Sequence, residues 1–298
     1  MIRSTAALGA LLLLCNLNSA AIVVGSDSAI WTPVSYSNNV ETDYSGDTQA
    51  NSVDLDIVGN ASHPGFYTLF DNGGTTSVLT DGEVGFRLRM AGDQGQPTFG
   101  GQAWIGMDVD ADGALDLFIG ADKDFLSIHD AGTGANNSPS TTTIEAAPVW
   151  SQAVSQVNFL WTAVSPELDS NATSFDIDGA TKPEPDFFLS FVVPFSELVD
   201  AVTTLTGVTT FDDTSPLAYI AATASQANSL NSDLNGVDGQ VNSTITWTDL
   251  DGITPTVSVT GEPYSNVPEP ATTALAAGIL ALLILMLRRP RKNRIVRA

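Results

Sequence analysis

Short apolar or alternating runs recur along the middle of the chain, each bounded by Gly, Asn, Asp or Pro. Such runs are typical of β-strands. No repeat of fixed period occurs, which argues against propellers and solenoids. Many short strands joined by turn-rich segments predict an all-β fold, a β-sandwich of the jelly-roll or immunoglobulin-like kind. The predicted strands span 52–58, 65–70, 84–90, 103–107, 115–119, 157–162, 187–193, 217–222 and 243–248.

Three segments depart from the strand pattern. Residues 194–202 place apolar side chains at helical spacing around Ser196, which predicts one short helix with a Ser cap, covering a sheet edge or a barrel end. Residues 131–143 and 224–242 are long segments rich in Ser, Thr, Asn and Gly. Loops of this length are usually functional or disordered, and their polar side chains suit sugar contacts or oxygen coordination. The simpler interpretation is ordered surface loops held by side-chain to backbone hydrogen bonds.

Both ends of the chain carry membrane-directed patterns. Residues 1–21 combine a charged start, an apolar stretch at 6–15 and small residues before 22, which predicts a secretory signal helix that is removed. Residues 271–287 are uncharged and predict a transmembrane helix of about 25 Å. The cations that follow would keep that end in the cytoplasm and leave residues 22–266 as the exported domain. These cations are Arg288, Arg289, Arg291, Lys292, Arg294 and Arg297.

The C-terminal segment has a further motif in front of its helix, the run Val267, Pro268, Glu269 and Pro270. Over 267–298, this order of parts resembles the PEP-CTERM sorting signal of Gram-negative bacteria. The resemblance implies recognition by an exosortase-type sorting protease, transient anchoring in the inner membrane and cleavage near the Pro-Glu-Pro triplet. It also implies transfer to the cell surface or to the extracellular polysaccharide matrix. An ordinary tail anchor is the alternative.

Charge is far from balanced in residues 22–266. This segment contains four basic and 33 acidic residues, so its formal charge is −29, whereas the whole chain has a formal charge of −23. Such a surface repels nucleic acid and favours divalent cations, so no nucleic-acid partner is expected. The alternative is a purely solubilising charge. The four basic residues are Arg87, Arg89, Lys123 and Lys182.

Residues suited to catalysis are scarce. The single cysteine, Cys15, lies in the predicted signal, so the exported domain has no thiol and no disulfide. His63 and His129 are the two histidines, and their spacing matches no zinc motif. A hydrolytic triad lacks a histidine near a nucleophile elbow. The chain is therefore expected not to be an enzyme.

One motif carries chemistry, the run WIGMDVDADGALDLFIG at residues 104–120. Carboxylates stand at positions 1, 3, 5 and 9 of a loop that has glycine at position 6, a spacing that suits Ca²⁺ and its hard oxygen ligands. The main-chain carbonyl of position 7 would add a ligand. In order, these residues are Asp108, Asp110, Asp112, Asp116, Gly113 and Ala114.

This loop departs from an EF-hand, because Ile119 replaces the bidentate Glu at position 12 and both flanks are predicted strands. It resembles the strand-loop-strand calcium loops of FG-GAP repeats in integrin-type propellers, although in one copy. Asp122, Asp124 or Asp130 are candidates for further ligands. The alternative is an acidic hairpin turn in which Asp and Gly serve turn geometry alone.

Together these patterns predict an exported, calcium-stabilised protein with a structural or adhesive role at the cell surface or in the biofilm matrix. The first alternative is a carbohydrate-binding module that holds exopolysaccharide through tryptophans and the amide-rich loops. In a sandwich, however, tryptophans are more often core residues. The second alternative is a secreted glycan hydrolase that uses two carboxylates. The tryptophans are Trp31, Trp104, Trp150, Trp161 and Trp247.

Overall fold

The structure is a computed structural model, and its described residues all belong to the unit Met1–Pro263. The predicted signal helix, except Ala21, and the whole predicted sorting signal 267–298 lie outside the described residues. Within the described ranges, no helix is both long and apolar enough to cross a membrane. The described ranges are 21–36, 39–40, 43–49, 52–75, 77–110, 112–132, 138–178, 185–237, 245–249 and 257–261.

The described chain is built mainly from strands, with one α-helix, α1, over Phe195–Thr206. Short 3₁₀ turns occupy Ser28–Ile30, Val53–Leu55, Pro139–Thr141 and Trp247–Asp249. The strands are β1 Thr32–Pro33, β2 Ser35–Tyr36, β3 Asn39–Val40, β4 Phe66–Asp71, β5 Glu83–Met90, β6 Gln102–Asp108, β7 Leu117–Ala121, β8 Phe125–Asp130, β9 Trp150–Ala153, β10 Phe159–Ala163, β11 Phe187–Pro194, β12 Ala218–Ala224 and β13 Asp233–Leu234.

Two antiparallel sheets form the body of the molecule. The first sheet has the order β1-β4-β5-β11-β10, and the second has the order β13-β12-β6-β7-β8-β9. A separate two-stranded ladder joins β2 to β3. Inward side chains of the two sheets meet in one core, where the ring of Tyr219 lies 6.1 Å from that of Phe66 and 5.8 Å from that of Phe86. The predicted β-sandwich with one short helix is confirmed.

The outward faces of both sheets are also partly covered. On the second sheet, Trp104, Phe118 and Ile220 pack against Trp247 and Leu230 from the later loops. On the first sheet, the segment from Ile22 to Trp31 packs over β4 and β11. Strands buried on both faces lose the simple alternation of apolar and polar residues, as in the run at β12.

Helix α1 contacts β5 and β11 of the first sheet and β8 of the second, so it closes one end of the sandwich. Its buried face carries Phe195, Leu198 and Val202. The predicted Ser196 cap is wrong, because the N-cap residue is Pro194. The helix follows β11 without a loop, and the amide of Phe195 donates to the carbonyl of Gly82 at 2.9 Å. A neighbouring turn therefore satisfies the first amide in place of a side chain.

The predicted strand at 52–58 is wrong. Residues 52–58 form the turn Val53–Leu55 instead, and Ile57 makes an isolated bridge to Met90. The alternating apolar side chains are buried as expected, but Asp54 between them is buried too, and the amide of Ile57 donates to a carboxylate instead of a strand. Residues 243 and 244 of the predicted strand 243–248 lie outside the described residues, and its described part, 245–248, is not a strand and enters the turn Trp247–Asp249. Strands β8 and β9 were not predicted, and neither were the two-residue strands β1, β2, β3 and β13; β9 is an exposed edge of the second sheet.

Candidate metal centre

The acidic motif forms the loop of the β6–β7 hairpin. Strand pairing ends where Met107 faces Leu117, and the amide of Asp116 donates to the carbonyl of Met107 at 2.8 Å. Two apolar residues fix the loop from opposite sides of the second sheet. Val109 enters the core between the sheets, and Leu115 enters the cluster on the outer face. The hydrophobic residues inside the motif therefore hold its acidic residues at the mouth of the hairpin.

Three carboxylates of the motif converge. Asp108, Asp110 and Asp116 each place an oxygen within 4.8 Å of the other two. Asp108 is buried, Asp116 is half-buried and Asp110 is exposed, so the group is open to solvent on one side. Three carboxylates so close together repel one another unless a proton or a cation lies among them. This group of residues could hold a metal ion.

Backbone amides of the loop orient all three carboxylates. The amide of Val109 donates to Oδ2 of Asp116 at 2.7 Å, and that of Gly113 donates to Oδ2 of Asp108 at 2.9 Å. The amide of Asp112 donates to Oδ1 of Asp110 at 3.1 Å. Gly113 has φ of 87°, a left-handed conformation that glycine adopts at no steric cost. Because a carboxylate has two oxygens, these bonds orient each group and still permit coordination of an ion.

The other predicted ligands lie outside this group. Asp112 is exposed, and its Oδ1 accepts from the amide of Ala114 at 2.8 Å, which shapes the turn. Asp122 accepts from Gln102, Asp124 pairs with Lys123, and Asp130 accepts from the amide of Gly132. The structure thus brings together three of the four carboxylates of the motif and none of the later acids.

The pKa of Asp116 reflects this environment. Burial is the largest cause, and it raises the pKa to about 6, while the hydrogen bond from Val109 opposes the rise. The negative charges of Asp110 and Asp108 raise the pKa further. A bound cation would favour the ionised carboxylate and reverse this effect.

The sequence analysis did not predict two more acidic groups. The first contains Asp47, Asp56 and Asp233, and the second contains Asp176, Asp178 and Asp186. In the second group, Oδ2 of Asp186 already accepts from Nη1 of Arg89 at 2.8 Å. Burial and a hydrogen bond with Asp176 raise the pKa of Asp178 to about 6. The first group is not visible in the local sequence because Asp233 is distant from Asp47 and Asp56, whereas the second group lies within residues 176–186 and could have been considered from its spacing.

The histidines and tryptophans have structural surroundings. Nδ1 of His129 lies 2.7 Å from the carbonyl oxygen of Glu145 and Nε2 lies 2.9 Å from the hydroxyl of Ser127, while His63 contacts Asn60 and Thr173. None of the five tryptophans is exposed. Three are buried, and Trp150 and Trp161 are half-buried.

A pocket of about 580 Å³ lies on the outer face of the second sheet. Its lining includes the aromatic side chains of Trp104 and Phe125 and the polar side chains of Gln102, Asp122 and Asn228. Phe125 is 52% exposed. This mixed lining is of the kind that binds small polar ligands with apolar faces.

Comparison of the chain with protein-family models, with curated proteins and with solved structures found no match.

Proposed function

We propose that this chain is an exported, calcium-stabilised protein with a structural or adhesive role at the cell surface or in the extracellular matrix. The proposal of calcium binding is supported by the convergence of Asp108, Asp110 and Asp116 in the β6–β7 hairpin. The order of parts in 267–298 and the acidic composition of 22–266 support the export part.

The chemistry of the hairpin group favours Ca²⁺ over other ions. All its side-chain donors are hard carboxylate oxygens, whereas Zn²⁺ and Cu²⁺ sites draw on His or Cys. Ca²⁺ accepts six to eight oxygens in flexible geometry, so water can complete the shell on the open side beside exposed Asp110. Mg²⁺ needs a tighter octahedron and gives up its water reluctantly. The ion would neutralise the carboxylates and tie the end of β6 to the start of β7.

The export part has its own test in the producing cell. Fractionation and intact mass should find the chain first in the inner membrane and then released without residues 288–298. Ile279→Arg combined with Leu283→Arg should abolish the membrane form, because each Arg at a helix centre costs about 2.5–3.5 kcal/mol. The matched control, Ile279→Leu with Leu283→Ile, should behave like the wild type. Mature protein that still carried Arg288 to Ala298 would contradict sorting and indicate a permanent anchor.

Carbohydrate binding is a second candidate, favoured by the pocket beside Trp104 and Phe125. An exposed ring next to amide and carboxylate groups can stack on a sugar and bind its hydroxyls. Phe125→Ala should then weaken retention of the protein on purified exopolysaccharide. Val157→Ala, at an exposed apolar residue outside this pocket, is the control. Equal retention of the two variants would remove this candidate.

A further inference from the structure

Three carboxylates from three separate parts of the chain meet beside β13. Asp47 comes from the turn region 43–49, Asp56 follows the turn Val53–Leu55, and Asp233 begins β13. One oxygen of each lies within 4.8 Å of the others. Asp56 has no exposed surface and Asp233 is 5% exposed. This group, called the β13 acidic cluster below, is more deeply buried than the hairpin group.

A small cavity and a buried hydroxyl lie beside the β13 acidic cluster. Asp47, Ser232 and Asp233 line a cavity of about 10 Å³, which is room for one water-sized particle. Ser232 is 3% exposed, and its hydroxyl oxygen has no hydrogen-bond partner among the described residues. Buried hydroxyls usually have a hydrogen-bond or metal partner, and a particle in this cavity would supply one to Ser232.

We propose that the β13 acidic cluster binds one hard divalent cation, with Asp47, Asp56 and Asp233 as carboxylate ligands and the Ser232 hydroxyl as a fourth oxygen ligand. An all-oxygen set of this kind suits Ca²⁺ and excludes the soft-ligand chemistry of zinc sites. The site is independent of the hairpin group and shares no residue with it.

Charge supports a cation over a water molecule. Three carboxylates whose oxygens lie within 4.8 Å of one another repel unless positive charge lies among them. The basic side chains among the described residues serve other partners. Arg87 donates to main-chain carbonyls and serines, Arg89 pairs with Asp169 and Asp186, and Lys123 pairs with Asp124. A metal ion supplies positive charge at this place.

Backbone amides already orient the ligands. Gly46 donates to Oδ2 of Asp56 at 2.8 Å, and Ile57 donates to Oδ2 of Asp233 at 2.6 Å. The amide of Gln49 donates to the carbonyl of Ser232 at 2.7 Å, which holds the two chain segments together. Strand β13 is the edge of the second sheet. The bound ion would therefore clamp residues 43–57 onto that edge.

The test uses the full chain. Equilibrium dialysis gives the number of bound Ca²⁺ ions, and hydrogen exchange with and without Ca²⁺ shows which segments they protect. The background is Asp110→Asn with Asp116→Asn, which disables the hairpin group. In this background Ca²⁺ should still slow exchange in 43–57 and 231–236. Adding Asp47→Asn with Asp233→Asn should remove one bound ion and this protection. The control Asp200→Asn, on the exposed side of α1, should remove neither.

Ser232→Ala is the milder variant, because it leaves every carboxylate in place. Removing a group that merely supports a metal ligand lowers metal affinity by about 10- to 100-fold. Because Ser232 is proposed as a ligand, Ser232→Ala should lower Ca²⁺ affinity at this site by at least as much. The proposal is overturned if 43–57 shows no Ca²⁺-dependent protection, or if Ser232→Ala and Asp200→Asn bind Ca²⁺ equally. Failure of the hairpin group gives a different result, in which the wild-type chain shows Ca²⁺-dependent protection in 43–57 and none in the β6–β7 hairpin.

The start of the described chain is tied to the first sheet by a hydrogen bond to an acidic side chain. The amide nitrogen of Ile22 donates to Oε2 of Glu83 at 2.9 Å. Ile22 is 6% exposed and Val24 is 4% exposed, and both pack on the outer face of the first sheet. Glu83 stands at the start of β5 and lines a cavity of about 510 Å³ together with this segment.

We infer, resting on the export proposed above, that a signal peptidase cleaves between Ala21 and Ile22. Ser19 and Ala21 then supply the small residues that such sites need, whereas cleavage after Ala20 would place Asn18 at the first of those positions. Hydrolysis adds the water hydroxyl to the carbonyl carbon of Ala21 and leaves Ile22 with an ammonium group. The hydrogen bond to Glu83 thereby becomes an ammonium–carboxylate ion pair, a stronger contact.

Intact mass and N-terminal sequencing of the exported protein give the first test, and the mature chain should begin at Ile22. Glu83→Gln keeps an acceptor oxygen but removes the charge. It should lower the melting temperature of the mature chain and have less effect on the uncleaved chain. This difference should shrink as pH rises above about 8, because a free terminal amine titrates near that pH and pairing with a carboxylate raises its pKa. A mature chain that begins elsewhere, or an equal effect of Glu83→Gln on both forms, overturns the inference. An exported chain with no cleavage at all contradicts the signal peptide itself.

Discussion

Nη1 of Arg89 donates to Oδ2 of Asp186 across 2.8 Å, and neither side chain has any exposed surface. A second nitrogen of the same guanidinium pairs with Asp169, and the ring of Phe188 lies 4.9 Å from its central carbon. The contact joins β5 to the residues that precede β11. It places two negative charges and one positive charge in the interior, where a charge that loses its partner is costly.

Arg89→Met should therefore destabilise the fold by about 3–5 kcal/mol, because Asp169 and Asp186 would remain buried without their cation. Urea unfolding followed by tryptophan fluorescence measures the change. Lys123→Met is the matched control, since it also removes a basic partner, but from the exposed pair with Asp124. Exposed ion pairs contribute little, so its unfolding midpoint should stay at the wild-type value. Equal midpoints for the two variants would show that the buried pair does not support the fold.

Close packing on the outer face of the second sheet gives another prediction. A Cβ atom at Gly120 would lie 2.4 Å from Cζ3 of Trp104. Gly120→Ala must move the indole ring and should cost about 1–3 kcal/mol, the usual range for overpacking. At Gly25 the nearest atom is 3.8 Å away, so Gly25→Ala should be tolerated. Urea midpoints of both variants measure the difference, and an unchanged Gly120→Ala midpoint would contradict the packing described for Trp104.

The stability of the protein should fall in mild acid through His129. Burial lowers the pKa of His129 below its ordinary value of 6.5. The unfolded chain therefore takes up a proton at a pH where the folded chain does not, and stability decreases as pH falls through 6.5. His129→Phe keeps a ring beside Trp104 but cannot take up a proton. Between pH 7 and 5 it should therefore remove from the slope of the unfolding free energy against pH a contribution that corresponds to at most about one proton. An unchanged pH dependence in the variant would show that His129 does not contribute.

The sandwich was predictable because strands such as β6 and β11 are short, mostly apolar runs, and β5 alternates apolar side chains with Arg87 and Arg89. The error at 52–58 has a tertiary cause. Its alternation arises from side chains that pack inward from a turn, and Asp233 takes the amide of Ile57 that a strand partner would take. Strand β9 was not predicted, because an exposed edge strand needs no apolar pattern.

The hairpin group was predictable because its carboxylates lie close together in sequence, so local geometry alone brings them near each other. The exclusion of Asp112 was not predictable, because it depends on which carboxylate oxygen each loop amide selects. The β13 acidic cluster is out of reach of any local pattern. Asp47, Asp56 and Asp233 meet only when the second sheet has formed.

The most direct measurement of the central claim is thermal unfolding of the full chain in excess Ca²⁺ and in chelator. Asp110→Asn with Asp116→Asn is compared with the wild type and with the control Asp200→Asn. Binding to the folded state alone contributes about 2.7 kcal/mol when Ca²⁺ is a hundredfold above its dissociation constant. For a domain of this size, that corresponds to about 5–10 °C in melting temperature.

Extracellular sites can have dissociation constants of about 0.1–1 mM, so the titration must extend well above these values. The wild type and Asp200→Asn should gain this increment from Ca²⁺ at the hairpin, and the hairpin variant should keep only the smaller response that Ca²⁺ at the β13 acidic cluster provides. Mg²⁺ should substitute poorly. If the hairpin variant responds to Ca²⁺ and chelator as fully as the wild type does, the β6–β7 hairpin is an acidic turn and holds no calcium.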